Sequence, residues 1–273
     1  MGVHPSGVLC AIVSLRRRVA DIVYGAYEKR LKQQLNGAQR RPRHVAVILD
    51  GNRRWARQVG FEDVNHGHRV GAGKIADFLG WADDAGVEVV TLFLLSKENL
   101  ENRAANEVAA LLEIIPDVAD ELAEDGNPWP LRMVGALDAL PREIAARLTK
   151  AASNSEGRTG IQVNIAVGYG GRQEITDAVR NLLRQHAELG TDIADLAERL
   201  SVDDISSHLY TSGVPDPDLL IRTSGEQRLS GFLLWQSAYS EYWFCEAYWP
   251  EFRRTDFLRA MRDYAIRHRR LGH

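Results

Sequence analysis

Residues 43–55 read Arg43-His44-Val45-Ala46-Val47-Ile48-Leu49-Asp50-Gly51-Asn52-Arg53-Arg54-Trp55, and this stretch decides the fold class. A β-branched apolar run from Val45 to Leu49 breaks without transition into an acid, a glycine, an amide and two arginines. A continuously apolar strand is buried on both faces, as in a parallel sheet covered by helices. In such sheets ligands bind beyond the carboxyl ends of the strands, where the next helix starts and presents free N–H groups. Asp50 can hold a metal, and Gly51, Asn52, Arg53 and Arg54 offer backbone donors, an amide and two cations to an anion. Metal plus phosphate is the chemistry this pattern suits. A capped helix start with solvated arginines is the structural alternative.

Outward from that stretch, the apolar run Val87 to Leu95 ends in Ser96-Lys97-Glu98-Asn99, repeating the strand-into-polar pattern. Helices are expected over 53–58, 68–85, 105–123, 141–153 and from the Gly168 turn to about Glu188, with a polar loop over 60–67. Leu131 to Val134 and Ile161 to Val167 read as further strands. Gly168-Tyr169-Gly170-Gly171-Arg172 looks like a truncated dinucleotide fingerprint, but its glycine spacing is wrong and a tight structural turn is the better reading. Strand Leu219 to Ile221 then delivers Arg222, followed by Arg228 and Ser230. Guanidinium forks matched to phosphate oxygens, with a hydroxyl beside them, suit a diphosphate. Glu241, after the next apolar run, is the acid singled out there. Trp243, Phe244, Tyr248 and Trp249 read as core or interface. Strands alternating with helices give an α/β architecture with a central, mainly parallel sheet.

The chain of 273 residues is long enough for one large α/β domain, and its net charge of -3 argues against a general nucleic-acid binder. Two cysteines, Cys10 and Cys245, supply neither a disulfide framework nor a metal spacing, which fits a reducing, cytoplasmic setting. The apolar stretch Val8 to Leu15 is too short to cross a bilayer, and its charges lie on the wrong side for a signal peptide. An amphipathic helix is expected over Ala20 to Leu35, suited to packing on its own domain or a sister subunit more than to a membrane surface. Residues 1–42 are therefore read as an N-terminal segment, 43–273 as the main domain, and the last helix as 256–269.

Four ordered markers carry a family resemblance: Asp50 to Trp55, Ser96 to Asn99, Asn164 to Arg172, and Ile221 to Arg228. With them the chain resembles the cis-prenyltransferase family of undecaprenyl diphosphate synthases. The resemblance implies a Mg²⁺-dependent homodimer with a hydrophobic tunnel between sheet and helices, condensing isopentenyl diphosphate with an allylic diphosphate. By position, Asp50 resembles the acid acting with Mg²⁺ on the allylic diphosphate, and Gly51, Asn52, Arg53 and Arg54 resemble its diphosphate loop. Trp55 and His68 match substrate contacts, Ser96, Lys97 and Glu98 line the same strand end, and Arg103 matches a substrate arginine with a one-residue shift. Asn99 matches the suggested proton acceptor, although an amide is a poor base and better orients a water or the departing diphosphate. Arg222, Arg228, Leu229 and Ser230 resemble the isopentenyl diphosphate site, and Glu241 a second Mg²⁺ ligand that a partner subunit could supply.

The departures are informative. Val64 stands where the family carries an arginine, Gln227 where a histidine is frequent, and Leu100 where a tryptophan is. Leu94 stands where long-chain relatives have a small residue; a leucine on a tunnel-lining strand fills space that a growing chain needs. Leu94 and Leu100 together resemble the actinobacterial short-chain branch, Z,E-farnesyl diphosphate synthase, whose primer is geranyl diphosphate. Two rival classes are a medium or long-chain synthase and a silent isoprenoid-binding partner subunit. The all-helical trans-prenyltransferases need an Asp-Asp-x-x-Asp cluster, and Asp83-Asp84 lacks the third acid.

Overall fold

The computed structural model describes residues 24–35 and 40–267. The expectations for Val8 to Leu15, Cys10, the first turn of the N-terminal helix and the basic C-terminal tail lie outside these residues. Residues 42–252 form one compact unit, and the described parts of 1–41 and 253–273 form another. The final helix, read from sequence as the end of the main domain, thus groups with the N-terminal helix.

The larger unit is built on six parallel strands: β1 (His44–Ile48), β2 (Val89–Ser96), β3 (Leu131–Val134), β4 (Gln162–Tyr169), β5 (Leu219–Arg222) and β6 (Glu241–Phe244). Their spatial order is β3-β4-β2-β1-β5-β6, so β1 lies inside, between β2 and β5. Val45, Ala46 and Val47 are fully buried, as the unbroken apolar run requires. The chain builds one side of β1 with β2, β3 and β4, then crosses to the other side with β5. The carboxyl ends around β1 are consequently the place where a crevice opens.

Leaving β1, the chain enters α2 (Asn52–Gln58) through Gly51 at φ 101, a left-handed conformation that glycine adopts without Cβ strain. The helix expected over 68–85 is two helices, α3 (Asn65–Gly73) and α4 (Ile75–Asp84), meeting at Lys74. α3 begins three residues earlier than expected and takes in part of the loop read over 60–67. Its glycines explain the geometry: a Cβ on Gly67 would stand 2.1 Å from the Asn52 carbonyl oxygen, and one on Gly71 2.3 Å from Asn52 Oδ1. Backbone therefore packs directly on backbone where α3 crosses α2, and His68 projects from between the two contact points. Trp249 locks the crossing, donating Nε1–H to the Gly71 carbonyl at 2.7 Å and packing edge-on to Phe78.

α5 (Lys97–Asn102) is capped by Ser96, whose hydroxyl accepts the Asn99 N–H at 3.0 Å, and α6 (Ala105–Leu122) follows. β4 runs two residues beyond its expected end, through Gly168 and Tyr169. Its pairing with β2 skips a residue on each strand: Phe93 faces Ala166, Leu95 faces Val167, and Ser96 faces Tyr169. Leu94 and Gly168 are the residues left over, and a bulge of this kind re-aims side chains beside a site. Gly170 and Gly171 then open α8 (Gly171–Glu188), whose first N–H donates to the Gly231 carbonyl at 2.9 Å. That first N–H is thus satisfied within the chain. β6 had no sequence signal of its own, because it is a half-buried edge strand outside any long apolar run.

In the smaller unit, α1 (residues 24–35) faces α11 (Arg254–Ile266). Arg253 lies over the Tyr24 ring at 4.9 Å, Arg259 donates to Tyr27 at 3.2 Å, and Arg254 approaches Glu28 at 3.7 Å. The tyrosines of the amphipathic helix are thereby engaged within the chain. No helix among the described residues is long and apolar enough to cross a membrane.

Candidate active site

A cleft of about 770 Å³ opens at the carboxyl ends of β1, β2 and β5. It is lined by Asp50, Gly51, Asn52, Arg53, Arg54, His68, Leu94, Ser96, Glu98, Asn99, Arg103, Arg222, Arg228 and Ser230, nearly the full set expected from sequence. Arg57 and Arg172 also line it and were not anticipated. Val64, at the position where the resemblance expects an arginine, is the residue before α3 and does not line the cleft.

Asp50 is the centre of the charge pattern. Its Oδ1 accepts the Gly51 N–H at 2.6 Å, its Oδ2 accepts Arg222 Nη2 at 2.7 Å, and Arg54 lies 3.4 Å away. Partial burial pushes its pKa up, but the hydrogen bond and charge of Arg222, with Ser224 and Arg54, hold it below the usual carboxylate range. The acid is ionised at neutral pH. Arg222 is buried and joins two regions, since its other nitrogen, Nη1, donates to Ser230 Oγ at 2.9 Å and to the Arg228 carbonyl. Arg54 is held by Ser224 at 2.7 Å and Glu226 at 3.1 Å, with its guanidinium over the Tyr248 ring. Arg228 is exposed and also pairs with Glu226.

The donor groups are under-used. Arg103 Nε and Arg222 Nε are both buried without a hydrogen-bond partner. Unsatisfied buried cationic N–H groups are costly and rare, and here two of them belong to cleft-lining arginines, whose donors are suited to anionic oxygens. Among the described residues no group of three or more His, Cys, Asp or Glu could hold a metal ion. A single ionised carboxylate beside several cleft-lining arginines nevertheless suits Mg²⁺, which is bound through one or two carboxylates together with phosphate oxygens.

Beyond the cleft a second, apolar cavity of about 40 Å³ is walled by Leu49, Ile75, Leu111, Ile114, Ile115, Val118 and Trp249, with Asn52 and His68 at its polar end. Leu94 lines both cavities, together with Leu49, Asn52 and His68. Phe93, the residue before Leu94, also lines the cleft and stacks on Phe232 at 4.5 Å.

Several anticipated residues are placed elsewhere. Trp55 packs near Phe61 and does not line the cleft. Lys97 donates to Gln173 at 2.9 Å outside it, and Leu229 packs on the apolar cluster of Ala46, Ile48 and Phe232. Leu100 lines neither cavity; its Cδ1 lies 3.5 Å from where a Cβ on Gly168 would be. Glu241 opens β6 and pairs in register with Leu219, at the amino end of the sheet, whereas Asp50 lies beyond the carboxyl end of β1. One chain alone does not bring these two acids together. Conversely, Glu107 and Glu226 organise the arginines and had not been singled out. Glu107 stands four residues after Arg103, but the backbone is extended at Arg103 between α5 and α6, so no helical spacing signalled the pair.

The sequence profile of the family described as undecaprenyl diphosphate synthase matches residues 48–272. The chain belongs to that family. Its six-stranded parallel sheet agrees with a solved relative: lavandulyl diphosphate synthase from Lavandula x intermedia, in complex with dimethylallyl diphosphate, is 33% identical with a TM-score of 0.78, over 85% of this chain and 98% of that one. "Isoprenyl transferase 1" of Corynebacterium diphtheriae is 58% identical over 95% of this chain and 97% of that protein. The "(2Z,6E)-farnesyl diphosphate synthase" of Mycobacterium tuberculosis (strain ATCC 25618 / H37Rv) is 54% identical over 93% and 97%. The chain is thus a prenyltransferase of the cis-prenyltransferase fold.

Proposed function

We propose that this prenyltransferase condenses isopentenyl diphosphate with geranyl diphosphate, releasing Z,E-farnesyl diphosphate and diphosphate, as a Mg²⁺-dependent homodimer in the cytoplasm. The observation that carries the reading is Leu94, which with Leu49, Asn52 and His68 lines both the polar cleft and an apolar cavity of about 40 Å³. Each buried water needs roughly 10–15 Å³ of such space, so the cavity has room for a few waters and not for a series of five-carbon units. The names borne by the mycobacterial relatives support the same product class.

Asp50, Gly51, Asn52, Arg53 and Arg54 would receive the allylic diphosphate, and Arg222, Arg228 and Ser230 that of isopentenyl diphosphate. Mg²⁺ held by Asp50 and phosphate oxygens would draw charge from the departing diphosphate. Arg53, Arg54 and Arg103 would absorb the negative charge that develops there, and Leu49 and Leu94 would keep water from the allylic carbon. Arg222, bonded to Asp50 on one side and Ser230 on the other, would set the distance between the two substrates. Asn99 would orient a water or the leaving diphosphate that takes the proton. Glu241 would contribute to metal binding only from a second chain, which ties that role to dimerisation. A silent partner subunit is disfavoured because Asp50, Arg54 and Arg222 form an intact charge network.

The test is to offer dimethylallyl, geranyl and farnesyl diphosphates separately with isopentenyl diphosphate, with Mg²⁺ and with a chelator. Turnover with geranyl diphosphate that the chelator abolishes is expected. Turnover only after a second, different chain is added would instead make this protein a partner subunit.

A further inference from the structure

Glu107 is a buried acid at the third position of α6, and three side chains from three different elements converge on it. Arg53 of α2 donates to its Oε2 at 3.1 Å, while Arg103, at the end of α5, and His68 of α3 reach Oε1 at 2.5 and 3.3 Å. All three partners line the cleft, whereas Glu107 itself does not. Along α6, Leu111, Ile114, Ile115 and Val118 follow Glu107 at helical spacing and wall the apolar cavity. The acid therefore heads the helix face that the hydrocarbon would meet.

Two arginines this close repel one another, and on a half-open surface they would splay into solvent. Glu107 offsets that repulsion and keeps both guanidinium groups pointing at one place. It does so with one Nη1 of each arginine, leaving most of the five donors of each, including the unpartnered Nε of Arg103, for another acceptor. His68 is held below the usual imidazole range by burial, then by Arg103, so it is neutral at pH 7 and the cluster of two arginines and one acid keeps a net positive charge. An incoming anion is attracted rather than repelled.

We propose that Glu107 is a positioning residue for the allylic substrate: it holds Arg53, His68 and Arg103 in place for the allylic diphosphate and, through α6, fixes that headgroup relative to the wall of the tail cavity. This rests on the proposed reading of the cleft as an allylic diphosphate site. The isopentenyl side, built on Arg222, Arg228 and Ser230, makes no contact with Glu107 and is independent of it.

The experiment compares wild type with Glu107→Gln, which keeps the shape and removes the charge. Geranyl diphosphate binding is measured by calorimetry without isopentenyl diphosphate, and the two KM values by steady-state kinetics. The expected result is an allylic Kd and KM raised by about ten-fold, the loss of one well-placed charge-assisted contact, with the isopentenyl KM unchanged. Arg103→Gln combined with Glu107→Gln should weaken geranyl diphosphate binding by less than the two single effects added together, because Arg103 is one of the groups Glu107 holds. Unchanged or tighter allylic binding, equal weakening of both substrates, or additive effects in the double variant would overturn the proposal. Should Glu107→Gln fail to fold, Glu107→Asp carries the same comparison, with a smaller shift confined to the allylic substrate. A wild-type protein that binds geranyl diphosphate without turning it over sinks the reaction assignment and leaves the calorimetric comparison standing; one that does not bind it overturns both.

Discussion

Asp50 keeps its charge because the Gly51 N–H and the Arg222 guanidinium reach its two oxygens, and Arg222 in turn holds the loop of Arg228 and Ser230. Replacing Asp50 by Asn preserves the volume and removes the charge from both the proposed metal site and its pairing with Arg222. The expected outcome is a kcat lower by about two orders of magnitude or more, the scale of losing one electrostatic contributor to a transition state. Steady-state kinetics on protein shown to be folded by thermal melting is the check. A kcat within about ten-fold of wild type would move the chemistry elsewhere, since the loss expected is nearer a hundred-fold. Most of this charge pattern was readable, because an apolar run that stops at an acid and arginines says where the polar groups gather. What could not be read was which side chains face the cleft. Lys97 and Leu229 sit beside lining residues yet turn away, to Gln173 and to the apolar cluster. Glu107 belongs to a helix whose approach to α2 and α3 is a tertiary fact.

The strand–helix order was legible from periodicity, but the crossing of α3 over α2 was not, since it depends on contacts between backbones. Gly67 and Gly71 allow that contact, and a methyl group on Gly71 would stand 2.3 Å from Asn52 Oδ1 and 2.8 Å from Trp249 Cδ1. Gly71→Ala is expected to destabilise the fold by about 2 kcal/mol or more through overpacking. It should also raise the KM for the allylic substrate, because the same element carries His68. Denaturant unfolding and kinetics on one preparation test this; a lowered midpoint with an unchanged KM would show that α3 does not position the site. The bulge at Leu94 and Gly168 belongs at this scale too. Alternation along a regular strand would have placed Leu94, but not the skip in pairing that sets it in the walls of both the cleft and the apolar cavity.

For the whole molecule, pH acts through a group far from the chemistry. His44 is buried, with Nδ1 donating to the Pro215 carbonyl at 2.6 Å and Nε2 accepting from Thr91 at 2.7 Å, so its neutral form is the one built into the sheet. Burial lowers its pKa to about 4. The unfolded chain, with an ordinary imidazole, binds the proton first, so His44's contribution is fully present above about pH 6.5 and is lost as pH falls towards 4. The shift corresponds to about 3 kcal/mol. Unfolding free energies measured between pH 7 and 4.5 should fall more steeply for wild type than for His44→Gln; parallel curves would contradict the assignment. The grouping of α11 with α1 rests on ring and charge contacts between segments distant in sequence, which local patterning does not show. The central claim is that two diphosphate loci at the ends of β1, β2 and β5 serve a short apolar cavity lined by Leu94. Its most direct test is the product profile of wild type and Leu94→Ala, side by side, with geranyl diphosphate, Mg²⁺ and excess isopentenyl diphosphate. The account predicts Z,E-farnesyl diphosphate from wild type and longer chains from the variant; long polyprenyl products from wild type, or no difference between the two, would contradict it.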